Sequence, residues 1–258
     1  MGKILAVHSY KGGTGKTLLT VNLAAAYANK GKKVCVLDLD FRAPSLQSIF
    51  RQEASEYWLN DYLNGACEIN KVLFDYTPQC NCNGTMLVGL ANPTTEALRD
   101  MSAKDRKWEM RALGRLLSLK NTLLNDMELD YLLFDTSPGL QYSSINAIVS
   151  ADVVLVVSTI DASDVAGTRR MTHELYDLFE KKTGILMNKV PIEFLSSPAD
   201  RADVHSRFQN THTLPVLMVI PCFCDVLRAG GSKIFARDEP SHPFTRHVDE
   251  IAAKVEKF

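Results

Sequence analysis

The residues best equipped for chemistry form one run near the N-terminus, His8-Ser9-Tyr10-Lys11-Gly12-Gly13-Thr14-Gly15-Lys16-Thr17. Glycines at 12, 13 and 15 let the backbone turn its N–H groups inward around phosphate oxygens. A helix starting at residue 16 would add the partial positive charge of its N-terminus. Lys16 can then reach the β and γ oxygens of a nucleoside triphosphate, and the Thr17 hydroxyl can ligate Mg²⁺. The aliphatic stretch 4–7 before the run and the Ala- and Leu-rich stretch 16–29 after it supply the strand, loop and helix in the order this chemistry requires.

Acidic companions follow at two places. In Asp38-Leu39-Asp40-Phe41-Arg42 the two aspartates alternate along an extended segment and share a side. In Tyr131-Leu132-Leu133-Phe134-Asp135-Thr136-Ser137-Pro138-Gly139 an aspartate ends an apolar strand, where it can hold Mg²⁺ directly or through water, and Gly139 lets a backbone N–H approach a terminal phosphate. Farther on, Asn188 follows one aliphatic run and Pro221 another.

The elements that must position these groups repeat along the whole chain. Short aliphatic and β-branched runs at 4–7, 34–37, 86–90, 131–134, 153–157, 185–187 and 216–220 have apolar residues at successive positions, as parallel strands buried on both faces do. Helical stretches are expected at 16–29, 105–125, 165–182 and 244–257, the first closing at Gly31. With no linker or low-complexity tract, 1–258 is expected to be a single α/β domain, a doubly wound, mostly parallel sheet flanked by helices. Residues 51–85 and 193–214 are the least regular and are expected to be excursions from the sheet.

A standard phosphate loop would have glycine at position 10; this chain has Tyr10 and an additional lysine, Lys11. With Lys-Gly-Gly-x-Gly-Lys-Thr intact at 11–17, the sequence resembles the MinD/ParA group of deviant Walker A P-loop ATPases, and the likeness extends over nearly the whole chain. The resemblance implies a Mg²⁺-dependent ATPase that forms an ATP-sandwiched homodimer. Lys11 would reach the nucleotide of the facing subunit, and Asp40 would position the attacking water. It implies catalytic roles for Lys11, Lys16 and Asp40. Nucleotide contacts would come from Lys11, Gly12, Gly13, Thr14, Gly15, Lys16, Thr17, Leu18, Asp135, Gly139, Asn188 and Pro221, and metal contacts from Thr17, Asp38 and Asp135. It further implies an activating partner protein and a role in partitioning or positioning a DNA or protein cargo.

Composition limits the alternatives. In 258 residues, 29 Lys and Arg against 30 Asp and Glu leave a net charge of −1, so no overall basic field draws the chain to nucleic acid or anionic lipid. Nonspecific DNA binding would depend on local candidates such as Arg169, Arg170, Lys181, Lys182, Arg201, Arg207 and Arg228. No apolar run approaches the ~20 residues of a membrane span. Basic and acidic residues alternate on the last helix, so a membrane anchor is not expected. The N-terminus does not read as a signal peptide, and with six cysteines a reducing, cytoplasmic setting is expected. A second reading, a metal or metallocluster carrier, starts from Cys80-Asn81-Cys82 and Cys222-Phe223-Cys224, which could meet their copies at a dimer interface. Protein tyrosine kinases that share this core are a third; they end in a tyrosine cluster, whereas the last tyrosine here is Tyr176.

Overall fold

The computed structural model describes residues 2–52, 55–176, 179 and 181–258. The aliphatic runs form seven strands of one sheet: β1 Lys3–His8, β2 Lys33–Leu39, β4 Thr85–Gly89, β5 Tyr131–Thr136, β6 Val153–Ser158, β7 Lys182–Val190 and β8 Val216–Pro221. An eighth, β3 Leu73–Asp75, pairs antiparallel with β4 at one edge. Its three residues are too few to carry a pattern. The order is β3-β4-β2-β5-β1-β6-β7-β8, with every other pairing parallel. β1 therefore lies centrally between β5 and β6, the kind of position beside which doubly wound sheets place their ligands.

Helix α1, Lys16–Asn29, packs into the core on one face of the sheet; Leu19 through Ala28 are buried in succession, so the helix has almost no solvent side. It ends as expected. Gly31, at φ 82, donates to Ala28 O while Lys32 N–H donates to Tyr27 O, closing the helix with the paired bonds of a Schellman turn. Tyr27 stacks on Tyr131 of β5 with ring centroids 3.9 Å apart. On the other face lie α2 Arg106–Leu119, α3 Tyr142–Ser150 and α4 Ala162–Met171. The last helix, α6 Pro243–Lys257, returns to the α1 side. No helix among the described residues is long and apolar enough to cross a membrane.

Three expectations are corrected. The helix expected over 105–125 keeps its α form only to Leu119 and continues as a wider π turn, Lys120–Asp126. The helix expected over 165–182 starts earlier, at Ala162, and leaves α geometry after Met171 for a π turn, Thr172–Tyr176. Residues 177, 178 and 180 of that stretch lie outside the described residues, and Lys182 already opens β7. The excursion expected at 193–214 is mostly a helix, α5 Pro198–Thr211. A capping box between Ser197 and Asp200 starts it, with Pro198 in its first turn. Only Val204 of α5 is buried, so its apolar periodicity is nearly absent. The stretch 51–85 is built of short pieces but is an excursion only in part, since β3 within it joins the edge of the sheet; residues 53 and 54 lie outside the described set.

Candidate active site

The glycine run leaves the C-terminal end of β1 and enters α1, with Gly13 at φ 77 and Gly15, the N-cap, at φ 100. Both angles favour glycine. The loop is tied down from the next strands. Asn188, at the end of β7, donates from Nδ2 to Thr14 O at 2.8 Å. Lys189, itself in the left-handed region, donates from Nζ to Gly13 O at 2.7 Å. On its other side Gly139 N–H donates to Ser9 O at 2.8 Å. Asn188 and Gly139, both expected to address nucleotide, thus address the phosphate loop in this structure. Lys189 was missed, although it adjoins Asn188 in the sequence.

Lys16 is buried at the mouth of α1, only 6% exposed. Burial pushes its pKa below the usual lysine value, against the raising effect of Asp135, Asp40 and Asp164. Thr14 Oγ1 is buried without a hydrogen bond. Lys11 is the opposite case. Its side chain is 40% exposed, and its Nζ meets Asp161 Oδ1 at 2.8 Å and the hydroxyl of Ser163, both at the start of α4. This pairing raises the Lys11 pKa and holds the Asp161 carboxyl well below the usual range. Asp161 and Ser163 were not legible as site residues, since nothing local marks them.

Strand register brings the aspartates together. Asp38 lies opposite Asp135 on neighbouring strands, and both are fully buried. Asp38 accepts from Asp40 N–H at 3.0 Å and Leu46 N–H at 3.4 Å, so it organises the turn after β2. Burial, reinforced by Asp135, pushes its pKa well above the usual value. Asp135 is pushed up to about 6 by burial, with Thr17, Lys16 and Thr20 acting the other way. Thr20 donates to its Oδ1 at 3.4 Å, while Oδ2 is buried without a hydrogen bond. That orphaned oxygen beside the Thr17 hydroxyl is the donor chemistry a Mg²⁺ ion takes. A site of this kind leaves most of the coordination shell to phosphate and water. Asp40, at the surface end of the turn, accepts from Ser137 Oγ at 2.9 Å and from the Arg42 and Ala43 N–H groups at 3.3 and 3.2 Å. The turn after β2 is thereby joined to the turn after β5.

Beneath the loop, His8 Nδ1 and Thr136 Oγ1 are 2.9 Å apart. Burial, aided by the Lys16 charge, pushes the His8 pKa down to about 3, so the ring is neutral. Leu18 is partly buried on the first turn of α1, and Pro221 closes β8. Site titration predicts a difference measurable in the ligand-free chain. An Asp whose folded pKa is raised holds a proton that the unfolded chain has lost, so it lowers stability as pH rises from about 4 to about 6. Asp135→Asn removes this dependence. Its stability advantage over wild type should grow across that interval to roughly 3 kcal/mol and stay level above it, as urea unfolding at successive pH values will read.

The cysteine pairs are not brought together. Cys80 and Cys82 lie beside the turn after α1: Gly84 N–H donates to Ala28 O, and Asn83 Nδ2 to Asn29 O. That is the far end of α1 from the phosphate loop, about 20 Å away. Burial pushes the Cys80 thiol up to about 12. Cys222 and Cys224 follow β8 at the nucleotide end. Among the described residues no cluster of three His, Cys, Asp or Glu is placed to hold a metal. The basic candidates are dispersed: Arg169 and Arg170 on α4, Arg201 and Arg207 on α5, Arg228 on the short helix Cys224–Ala229. Lys181 and Lys182 bond carbonyls of Ala151 and Phe258 beside the start of β7.

The comparisons with known proteins bear on this geometry. The family model described as an AAA domain matches residues 2–188, from the first strand through Asn188. The chain belongs to the MinD/ParA-type P-loop ATPase family. A curated relative in this family, the septum site-determining protein MinD of Thermotoga maritima, is 24% identical over 260 residues, covering 99% of this chain and 88% of its own. Among solved structures, MinD of Pyrococcus horikoshii complexed with Mg-ADP superposes with a TM-score of 0.76 at 22% identity, covering 100% of this chain and 97% of the other. A putative plasmid partition protein of Borrelia burgdorferi bound to AMPPNP gives 0.76 at 17% identity, covering 100% of both chains. The doubly wound, mostly parallel sheet of the MinD/ParA ATPases is the fold of this chain.

Proposed function

We propose that the chain is a Mg²⁺-dependent ATPase that pairs face to face with a second copy on ATP and separates after hydrolysis, so that binding sets the assembly and hydrolysis resets it. The observation that carries this reading is the division of labour between two lysines of one loop. Lys16 is buried in its own site, whereas Lys11 stands outside it, held by exposed contacts with Asp161 and the Ser163 hydroxyl. Exposed pairs contribute little and exchange readily. Lys11 is therefore free to turn toward a facing subunit.

In this reading, backbone N–H groups of residues 12–17 and the N-terminus of α1 cradle the phosphates, and Lys16 offsets their charge. Thr17 and Asp135 would hold the Mg²⁺ ion, which supplies further charge neutralisation on the transferring phosphoryl group. Asp38 holds the turn that presents Asp40. Asp40, kept in place by Ser137 and two backbone N–H groups, orients the water that attacks the γ-phosphate. Lys11 of the facing subunit neutralises the charge that develops there, as an arginine finger does. Asn188 and Pro221 frame the base at the ends of β7 and β8. An activating partner protein and a cytoplasmic setting belong to the same reading.

The cargo follows from what the ATP form binds. Pairing doubles each dispersed basic group, so a chain with near-zero net charge can bind a polyanion conditionally. The Thermotoga relative is named for septum site determination and the Borrelia structure for plasmid partition, which supports positioning of a cargo. The ATP-loaded protein should bind nonspecific duplex DNA at low salt and release it by roughly 200 mM, since each neutralised phosphate adds to the salt dependence. Fluorescence anisotropy with ATP and with ADP reads this directly. Binding to anionic liposomes instead, or to neither surface, would contradict a DNA cargo.

A further inference from the structure

We propose that Tyr10 positions Lys11 for the facing subunit by clamping the front of the phosphate loop onto helix α4 at Gly167; this rests on the function proposed above. Residue 10 is where a standard phosphate loop has glycine. Here a tyrosine ring lies flush on α4, so close that a Cβ added to Gly167 would overlap ring carbons Cε1 and Cδ1. The ring's hydroxyl accepts from Arg170 Nη2 at 3.1 Å. Ser163, which meets Lys11, stands four residues before Gly167 and therefore on the same face of the helix. Tyr10 and Lys11, adjacent in the loop, thus land side by side on one helical face.

From the other side the loop is closed by the turn after β5. Gly139 N–H donates to Ser9 O at 2.8 Å, and a Cβ at Gly139 would stand 3.6 Å from the Tyr10 carbonyl oxygen. The backbone that carries Lys11 is accordingly gripped between α4 and that turn. When Lys11 leaves Asp161 and Ser163 to cross to another subunit, the exposed pair breaks, but the contact between Tyr10 and Gly167 can persist. The lysine then swings from a fixed root. This matters because displacing a catalytic group by about 1 Å can cost about a hundredfold in rate. It also accounts for Gly167 itself, an otherwise unfavourable residue within a helix, since any side chain there would lift the ring.

A double-mutant cycle tests the contact. Gly167→Ala, Tyr10→Gly, Tyr10→Ala, both combinations with Gly167→Ala, and the conservative Tyr10→Phe are compared for ATP affinity at low protein concentration. They are also compared for ATP-dependent pairing and for the hydrolysis rate at fixed protein concentration. Gly167→Ala alone should lower hydrolysis about tenfold or more and weaken pairing, while ATP affinity is unchanged. Added to Tyr10→Gly or Tyr10→Ala it should have no further effect, because the new methyl group meets no ring. Tyr10→Phe should keep most of the activity. Additive losses, an equal fall in ATP affinity, or wild-type behaviour of Gly167→Ala would overturn the inference. Wild type that neither pairs nor hydrolyses on ATP would overturn the proposed function, and the inference with it. Two tyrosine replacements keep the cycle decisive if one of them fails to fold.

Discussion

Lys11→Ala is expected to bind ATP as a single chain, to remain unpaired in its presence, and to hydrolyse it about 10³-fold more slowly than wild type. The expectation follows from where the side chain stands. Lys11 is not part of the buried pocket around Lys16; it projects from the outer side of the loop and is satisfied by Asp161 and Ser163. Removing it leaves the glycine cradle, Thr14, Lys16 and the α1 N-terminus in place, so affinity for the nucleotide should persist. What is lost is a cation delivered from outside the chain, and in other phosphate-loop enzymes such a cation is worth 10³ to 10⁵ in rate. Size-exclusion chromatography with ATP, a nucleotide-binding titration and phosphate release separate these effects. A Lys11→Ala protein that pairs and hydrolyses normally would remove the basis for a facing subunit.

Asp40→Ala should give the complementary phenotype, pairing on ATP and remaining paired, with hydrolysis reduced by roughly 10² to 10⁴-fold. Asp40 contributes two things, a carboxylate and a junction. The carboxylate orients water; the junction, through Ser137 Oγ and the Arg42 and Ala43 N–H groups, ties the turn after β2 to the turn after β5. Asp40→Asn separates them, since its amide oxygen can still accept those bonds while the charge is gone. If the charge is what matters, Asp40→Asn should be as inactive as Asp40→Ala and equally trapped as a pair. Dissociation of Asp40→Ala pairs as fast as those of wild type would count against the assignment.

The parts of the fold that were legible are those with a local physical cause. Seven strands announced themselves because burial on both faces demands continuous aliphatic runs, and α1 because its glycine stop at Gly31 and its Ala and Leu content are local. β3 was not legible because three residues cannot show a period. Helix α5 was hidden for a different reason. It lies on the surface with a single buried residue, and only its capping box between Ser197 and Asp200 betrays it. The placement of the glycine run between β1 and α1 was legible because such a loop needs strand, glycines and helix in a fixed order, and strand register sets Asp38 opposite Asp135. Asp161, Ser163, Gly167 and Lys189 were not legible, because each acts across a tertiary contact that no sequence spacing encodes. Tyr10 was visible only as a departure from the standard loop, and its packing on Gly167 is a tertiary contact of the same kind.

The central claim is that hydrolysis needs two copies of the chain, each supplying a lysine to the other. The most direct measurement is the specific rate of phosphate release by wild type with Mg²⁺ and saturating ATP, over a wide series of protein concentrations. The account predicts a rate per chain that rises with concentration and levels off where pairing is complete, with Lys11→Ala flat and near zero throughout. A rate per chain that is already constant at the lowest concentrations, where chromatography shows single chains, would contradict it.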